Sequence, residues 1–187
     1  MQAIDSDFSR IEETNCYCSP ESAALIRAAI AELPLHAVHL LGTGDYHYLS
    51  LFWAERVEVP FSLVLFDNHP DDQPGAFGDG LLSCGSWVAD ARQLPECKEV
   101  VWNGIGASSK DVWLSIDLDV LSSEYAHTDW SQGDMTLPDL LSALRQLGSA
   151  HNILGVDICG GISPSKGGTR EDLELNDSTV QSILELF

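Results

Sequence analysis

The residues with the most chemical potential lie in Phe61–Asp72, which reads FSLVLFDNHPDD. Six mostly apolar residues lead into Asp67, His69 and Asp71. The apolar half is a buried-strand signal. The other half places three metal-ligand types at alternate positions. If the backbone stays extended past the strand, all three side chains point to one side. Asp111–Asp119, DVWLSIDLD, repeats the design and closes an apolar run with Asp117 and Asp119. Carboxylates delivered to one crevice by two strands repel and take up protons unless a cation compensates. The pattern therefore points to a metal site, with room for a second metal, and otherwise reads as turn and capping chemistry. Mixed carboxylate and imidazole donors suit Mn, Zn, Fe or Co and are too nitrogen-rich for a calcium cage. His47, after the glycines Gly42 and Gly44, is a sixth ligand candidate.

These residues must be held by the ends of strands. Ser19-Pro20-Glu21-Ser22 is a helix start, with Ser19 as N-cap and Pro20 at the first helical position. The helix runs on to Leu33, before Pro34. Residues 38–41 read as a short strand, 48–56 as a helix and 61–66 as a buried strand. The stretch QPGAFGDG, 73–80, reads as a loop. Residues 81–94 begin as a loop and become helix. Strands follow at 100–105, 112–116 and 153–156, with a polar loop at 122–134 and a helix from Pro138 to Leu147 capped by Thr136. Residues 160–168 are a loop, and a last helix spans about 178–186. Residues 1–18 carry little pattern. Strands alternating with helices predict a three-layer α/β/α fold with a mainly parallel sheet. In such folds ligands bind beyond the C-terminal strand ends. His47, Asp67, His69, Asp71, Asp117, Asp119 and Asp157 all fall at such ends by this reading.

Composition narrows the function classes. A chain of 187 residues is expected to form a single domain, residues 1–187. Nine Lys and Arg against 29 Asp and Glu give a formal charge of −20. That balance argues against nucleic acid or an anionic membrane as partner. No apolar run is long enough for a membrane helix. The N-terminus is acidic and lacks a signal-peptide pattern. Five cysteines, at 16, 18, 84, 97 and 159, include no CxxC pair and read as free thiols in a reducing cytoplasm.

Further residues have narrower readings. His127, in the polar loop after Asp119, is a candidate to line the site as a proton shuttle. His39 sits inside a strand pattern and reads as structural, and His36 and His151 receive no role. Asp157 is read either as orienting a ligand histidine or as receiving loop amides. Cys84, in SCGSW, reads as a buried inert thiol unless a base lies nearby. Trp53, Trp87, Trp102 and Trp113 read as core, whereas Trp130 is a candidate lid or substrate wall. No glycine-rich loop matches a dinucleotide or phosphate-binding pattern.

At these residues the chain resembles the arginase, agmatinase and formiminoglutamase (ureohydrolase) family, as a short and divergent version spanning about residues 40–165. GTGDYHYLS is similar to the family's glycine–glycine–Asp–His motif, with Tyr46 inserted before His47. Asp67-Asn68-His69-Pro70-Asp71 matches its Asp-x-His-x-Asp, and Asp117-Leu118-Asp119 its Asp-x-Asp. GDMT, ending in Thr136, is similar to its glycine-glycine-leucine-threonine.

The resemblance implies an arginase-like fold and two Mn ions. His47, Asp67, Asp71 and Asp117 would serve one ion. Asp67, His69, Asp117 and Asp119 would serve the other, with Asp67 and Asp117 bridging. A hydroxide between the metals would attack a carbon bearing nitrogen, with Asp71 accepting a hydrogen bond from it. The resemblance also implies a homo-oligomer, trimers and hexamers being frequent in the family. Two positions depart from it. Ser83-Cys84-Gly85 replaces a serine–histidine–glycine segment whose histidine transfers protons. Gly160 stands where a glutamate grips the guanidinium. The expected activity is hydrolysis of a C–N bond in a small guanidino or amide-like compound. The alternatives are a zinc-dependent deacetylase-like amidohydrolase and a non-catalytic metal-binding protein.

Overall fold

The computed structural model describes residues 1–74 and 81–187. The loop read at 73–80 lies largely outside the described residues. The chain runs β1 (Ala3–Asp5), β2 (Tyr17–Cys18), α1 (Pro20–Ala31), β3 (Val38–Leu40), α2 (Leu49–Ala54) and β4 (Phe61–Phe66). It continues through β5 (Leu82–Ser83), α3 (Trp87–Ala91), β6 (Cys97–Trp102), β7 (Asp111–Asp117), α4 (Leu137–Ala150), β8 (Asn152–Cys159) and α5 (Arg170–Leu184). Six strands form one sheet in the order β1-β3-β8-β7-β4-β6, and every pair in it is parallel. The two short strands β2 and β5 pair antiparallel beside it.

All six residues of β4 are buried, because both faces of the sheet are covered. Alternation along the strands sorts side chains into two cores. Phe61, Leu63, Leu65 and Trp113 pack with α1, α2 and α3. Val64, Phe66, Leu114 and Ile116 pack with α4 and α5. The result is a three-layer α/β/α sandwich. Among the described residues no helix is long and apolar enough to cross a membrane.

Several boundaries differ from the sequence reading, each for a local reason. The N-terminal segment 1–18 supplies β1 and β2, which are too short to show a period. The strand expected at 100–105 lies at Cys97–Trp102. Asn103, with φ +50°, ends it, and its first half is polar because it pairs on one side only. Trp102 is accordingly 49% exposed at this edge, not core. β8 extends three residues beyond the expected end at 156. α5 begins eight residues earlier than expected, at Arg170, under a reciprocal capping box between Thr169 and Asp172.

Candidate metal centre

Four adjacent strands, β3, β8, β7 and β4, end at one crevice. Asp67 follows β4 directly and Asp117 is the last residue of β7. Asp119 sits in the 3-10 turn that continues β7, and its N–H donates to Asp117 Oδ1 at 2.8 Å. His47 closes the 3-10 turn after β3. All of these are buried, and so is Asp71.

The backbone does not stay extended after Phe66. It bends at Asn68 and His69, and Asp71 takes the left-handed φ of +47°. The three alternate residues therefore do not share one side as expected. Asp67 and Asp71 turn toward His47, and His69 turns toward Asp119. His47 Nδ1 lies 2.9 Å from Asp71 Oδ2, 3.1 Å from Asp67 Oδ2 and 3.6 Å from Asp117 Oδ2. His69 Nδ1 lies 2.9 Å from Asp119 Oδ2 and 3.6 Å from Asp67 Oδ1. The two oxygens of Asp67 thus face different histidines.

Each histidine is held from behind by a serine. His47 Nε2 meets Ser115 Oγ at 2.9 Å, and Ser115 donates to Asp157 Oδ1 at 2.7 Å. With the hydroxyl proton committed to Asp157, Ser115 can only accept from Nε2–H. That leaves Nδ1 of neutral His47 as a bare lone pair aimed at the carboxylates. Asp157 is fixed in turn by Ser50 Oγ at 2.7 Å and Trp113 Nε1 at 2.5 Å. So Asp157 does not stand at the crevice. It lies inside β8 beneath His47 and reaches it through Ser115. His69 Nε2 meets Ser131 Oγ at 2.9 Å.

The donors gather into three sets whose ligand atoms lie within 4.8 Å of one another. They are His47 with Asp67 and Asp71, Asp67 with His69 and Asp119, and His47 with Asp117 and Cys159. Two buried atoms here, His47 Nδ1 and Asp67 Oδ2, have no hydrogen-bond partner. Orphaned buried donors and acceptors are costly, and a cation between them removes that cost. The residues present therefore fit divalent metal.

The electrostatics of the metal-free crevice agree. Burial, then the charges of Asp117 and Asp67, push Asp119 up to about 8. Burial and the charge of Asp67 push Asp117 up to about 6. Burial works against a charged His47, but Cys159, Asp67 and Asp71 together outweigh it and raise its pKa. Hydrogen bonding to Asp67 leads the causes that raise His69 to about 9. Carboxylates and imidazoles here hold protons that a metal would displace.

Other sequence candidates fall differently. His127 is not among the described residues that line the crevice. Its Nδ1 pairs with Asp172 at the start of α5, and its backbone exchanges hydrogen bonds with Asn176 at 2.8 and 2.7 Å. It pins the loop to α5. Cys84 does line the crevice, but burial pushes its thiol up to about 12, so it is a poor substitute for a proton-transferring histidine. His39 is structural: it stacks on Trp53 at 3.5 Å, and burial lowers its pKa to about 4. Trp130 walls the crevice beside His69, with ring centres 6.5 Å apart. At Gly160, with φ +96°, a Cβ would stand 2.0 Å from Asp117 Oδ1. No side chain fits where the resemblance expects a glutamate. Ser115, Ser131 and Cys159 escaped the sequence reading. Only Ser115 carried a signal, lying two residues before Asp117 on one strand and so on the same face.

The crevice opens into a cavity of about 390 Å³, within the range of small-molecule sites. No known family model matches the chain. Among solved structures it is similar to the agmatine ureohydrolase of Thermoplasma volcanium, with TM-score 0.65 and 16% identity over 88% of this chain and 65% of that one. It is likewise similar to arginase from Bacillus subtilis, with TM-score 0.65 and 14% identity over 89% of this chain and 79% of that one. A third likeness is proclavaminate amidino hydrolase from Streptomyces clavuligerus, with TM-score 0.62 and 18% identity, covering 85% of this chain and 67% of that one. The chain thus spans roughly two thirds of the length of two of these enzymes. These likenesses establish an arginase-like fold. In sequence, the chain is 33% identical over 174 residues to an uncharacterized protein of Thermotoga maritima, covering 81% of this chain and 70% of that protein. The chain belongs to one family with that Thermotoga maritima protein, built on the arginase-like fold.

Proposed function

We propose that the protein is a binuclear metal-dependent hydrolase that cleaves a C–N bond of a small guanidino or amide-like substrate. The observation that carries this reading is Asp67, whose two oxygens face the Nδ1 atoms of two different histidines. One carboxylate would thereby serve two cation positions. His47, Asp67, Asp71 and Asp117 would hold one ion, and Asp67, His69, Asp117 and Asp119 the other. Divalent metals bound here supply Lewis acidity and a water acidified toward neutral pH.

The chain's own residues do the rest. Ser115 fixes which nitrogen His47 presents, and Ser131 holds the far nitrogen of His69. Trp87 Nε1 donates to Asp71 Oδ2 at 2.8 Å and holds that carboxylate against the crevice, where it can accept a proton from a nucleophile. Trp130 lines the crevice on the His69 side. The ureohydrolase and amidinohydrolase names of the structural relatives support C–N hydrolysis. The glycine at 160 separates this site from any that grips a guanidinium with a glutamate there. A cationic substrate would instead meet the carboxylates themselves.

The test is elemental analysis after purification without chelator and after Mn or Zn loading. It is followed by a screen of guanidino and amide compounds for urea, ammonia or amine release. Two metals per chain with metal-dependent release is the expected result. Full occupancy without hydrolysis across the panel would reduce the protein to a metal-binding role. No bound metal after loading would remove the reading at its base.

A further inference from the structure

Cys159 is the last residue of β8 and is paired in register with Asp117, the last residue of β7. In a parallel pair, residues in register project to the same face. Cys159 Sγ lies 3.1 Å from Asp117 Oδ2, and the same oxygen lies 3.6 Å from His47 Nδ1. All three side chains are buried. In a tetrahedral zinc site, bonds of roughly 2.0 Å to nitrogen or oxygen and 2.3 Å to sulfur put neighbouring donors about 3.5 Å apart. The three donors therefore stand near ligand spacing around one point. Gly160 makes this approach available. Its positive φ turns the chain away from the strand end, and its missing Cβ leaves space for the Asp117 carboxylate. His47 Nδ1 supplies the independent observation: it is fully buried, aimed at this point and without a hydrogen-bond partner.

We infer that Cys159 is a thiolate ligand of the metal held by His47 and Asp117, which biases this position toward zinc, cobalt or ferrous iron over manganese. The inference rests on the metal centre proposed above and adds a donor to it. As the metal–sulfur bond forms, the S–H bond breaks and its proton leaves to water. The sulfur keeps both electrons of that bond and there is no redox change. A soft thiolate favours borderline metals, whereas a carboxylate-rich set without sulfur suits manganese. The competing arrangement is a protonated thiol that only donates to Asp117 and never touches the metal.

Cobalt(II) separates the two. A cobalt–thiolate bond produces an intense near-ultraviolet charge-transfer band, and a second-sphere thiol produces none. The full chain is stripped with chelator and titrated with cobalt(II). It is compared with Cys159→Ser, Cys159→Ala and the double variant Cys16→Ser/Cys84→Ser, since Cys16 and Cys84 line the same cavity. The expected result is a band in the parent and in the double variant, and its loss in both Cys159 variants. Zinc-over-manganese preference in competition falls in those variants. Cobalt bound at full stoichiometry without the band would overturn the thiolate assignment and leave the metal centre standing. Failure to bind cobalt at all would remove both. Should the Cys159 variants not fold, the parent and double-variant spectra still decide, because Cys18 and Cys97 are not among the described residues lining the crevice.

Discussion

At the scale of single residues, the site is governed by what each donor atom is denied. Ser115 lies beneath His47, and its role is to commit Nε2 so that Nδ1 stays free. Outer partners of ligand histidines are worth roughly 10–100-fold in metal affinity. Ser115→Ala is therefore expected to weaken metal at the His47 position by that factor and leave the His69 position bound. Stepwise metal titration by calorimetry would read this as one weakened and one intact class, and a uniform loss would contradict it. Asp67→Ala should be harsher. It deprives both sets of a ligand, so elemental analysis should find neither metal retained. Gly160→Glu tests the missing clamp. Its Cβ would stand 2.0 Å from Asp117 Oδ1, on a backbone with φ +96°, so the new side chain displaces a ligand carboxylate. The variant is expected to lose metal and stability, not to gain arginine hydrolysis in a urea-release assay.

At the scale of elements, β7 and β8 act as one unit. Trp113 of β7 donates to Asp157 of β8, and Asp157 accepts from Ser115, which holds His47. Gly155 of β8 lets the Trp113 ring lie flat, because a Cβ there would come within 2.4 Å of it. Gly155→Ala should push the ring outward and break its bond to Asp157. Overpacking of this kind costs about 1–3 kcal/mol. Metal affinity should fall with it although Gly155 touches no ligand. A thermal melt paired with metal titration checks this, and an unchanged affinity would show that the network does not extend from strand to site. The same pair of strands shows what was legible in the sequence. Asp117 and Asp119 stood out because a continuous apolar run ended at them. Cys159 did not, because the apolar run of β8 is interrupted at Asp157. Reading the strand as finished at Val156 placed Asp157 at the crevice and left Cys159 outside any element. Burial of Asp157 depends on Trp113, Ser50 and Ser115, none of which is near it in sequence. The alternation of Asp67, His69 and Asp71 was visible as chemistry but misread as geometry. The turn through Asn68 and Asp71 is set by tertiary contacts, including Asn68 N–H to Asp119 at 3.0 Å. The α5 start was readable in principle from Thr169 and Asp172 as a capping pair.

At the scale of the whole molecule, the crevice sets a conflict between fold stability and proton release. The chain carries a formal charge of −20, and several of its carboxylates are buried at one sheet end. Without metal, Asp119 and Asp117 titrate in the folded state at about 8 and 6, above ordinary carboxylates. Between about pH 4 and pH 8 the folded chain thus binds more protons than the unfolded one, and unfolding releases them. Stability must fall as pH rises through this window. His69, raised to about 9, acts in the same direction. Its contribution is fully present below an ordinary histidine pKa and is lost as pH rises toward 9. Asp67 is shifted the opposite way: burial raises it, but His47 and His69 outweigh that and lower it. Its stabilisation is present above an ordinary aspartate pKa and is lost only at lower pH, outside this window. Bound metal removes the repulsion and holds the carboxylates ionised, and its ligand affinity adds stability by linkage. The metal-free protein should therefore melt at progressively lower temperature from about pH 5 to about pH 8, while the metal-loaded protein changes little. The gap between the two should widen with pH. Melts in matched buffers with metal and with chelator measure this directly. A metal-free protein that grows more stable over that range would mean that the crevice carboxylates are already compensated within the chain. The free nitrogen of His47 and the free oxygen of Asp67 would then need another explanation.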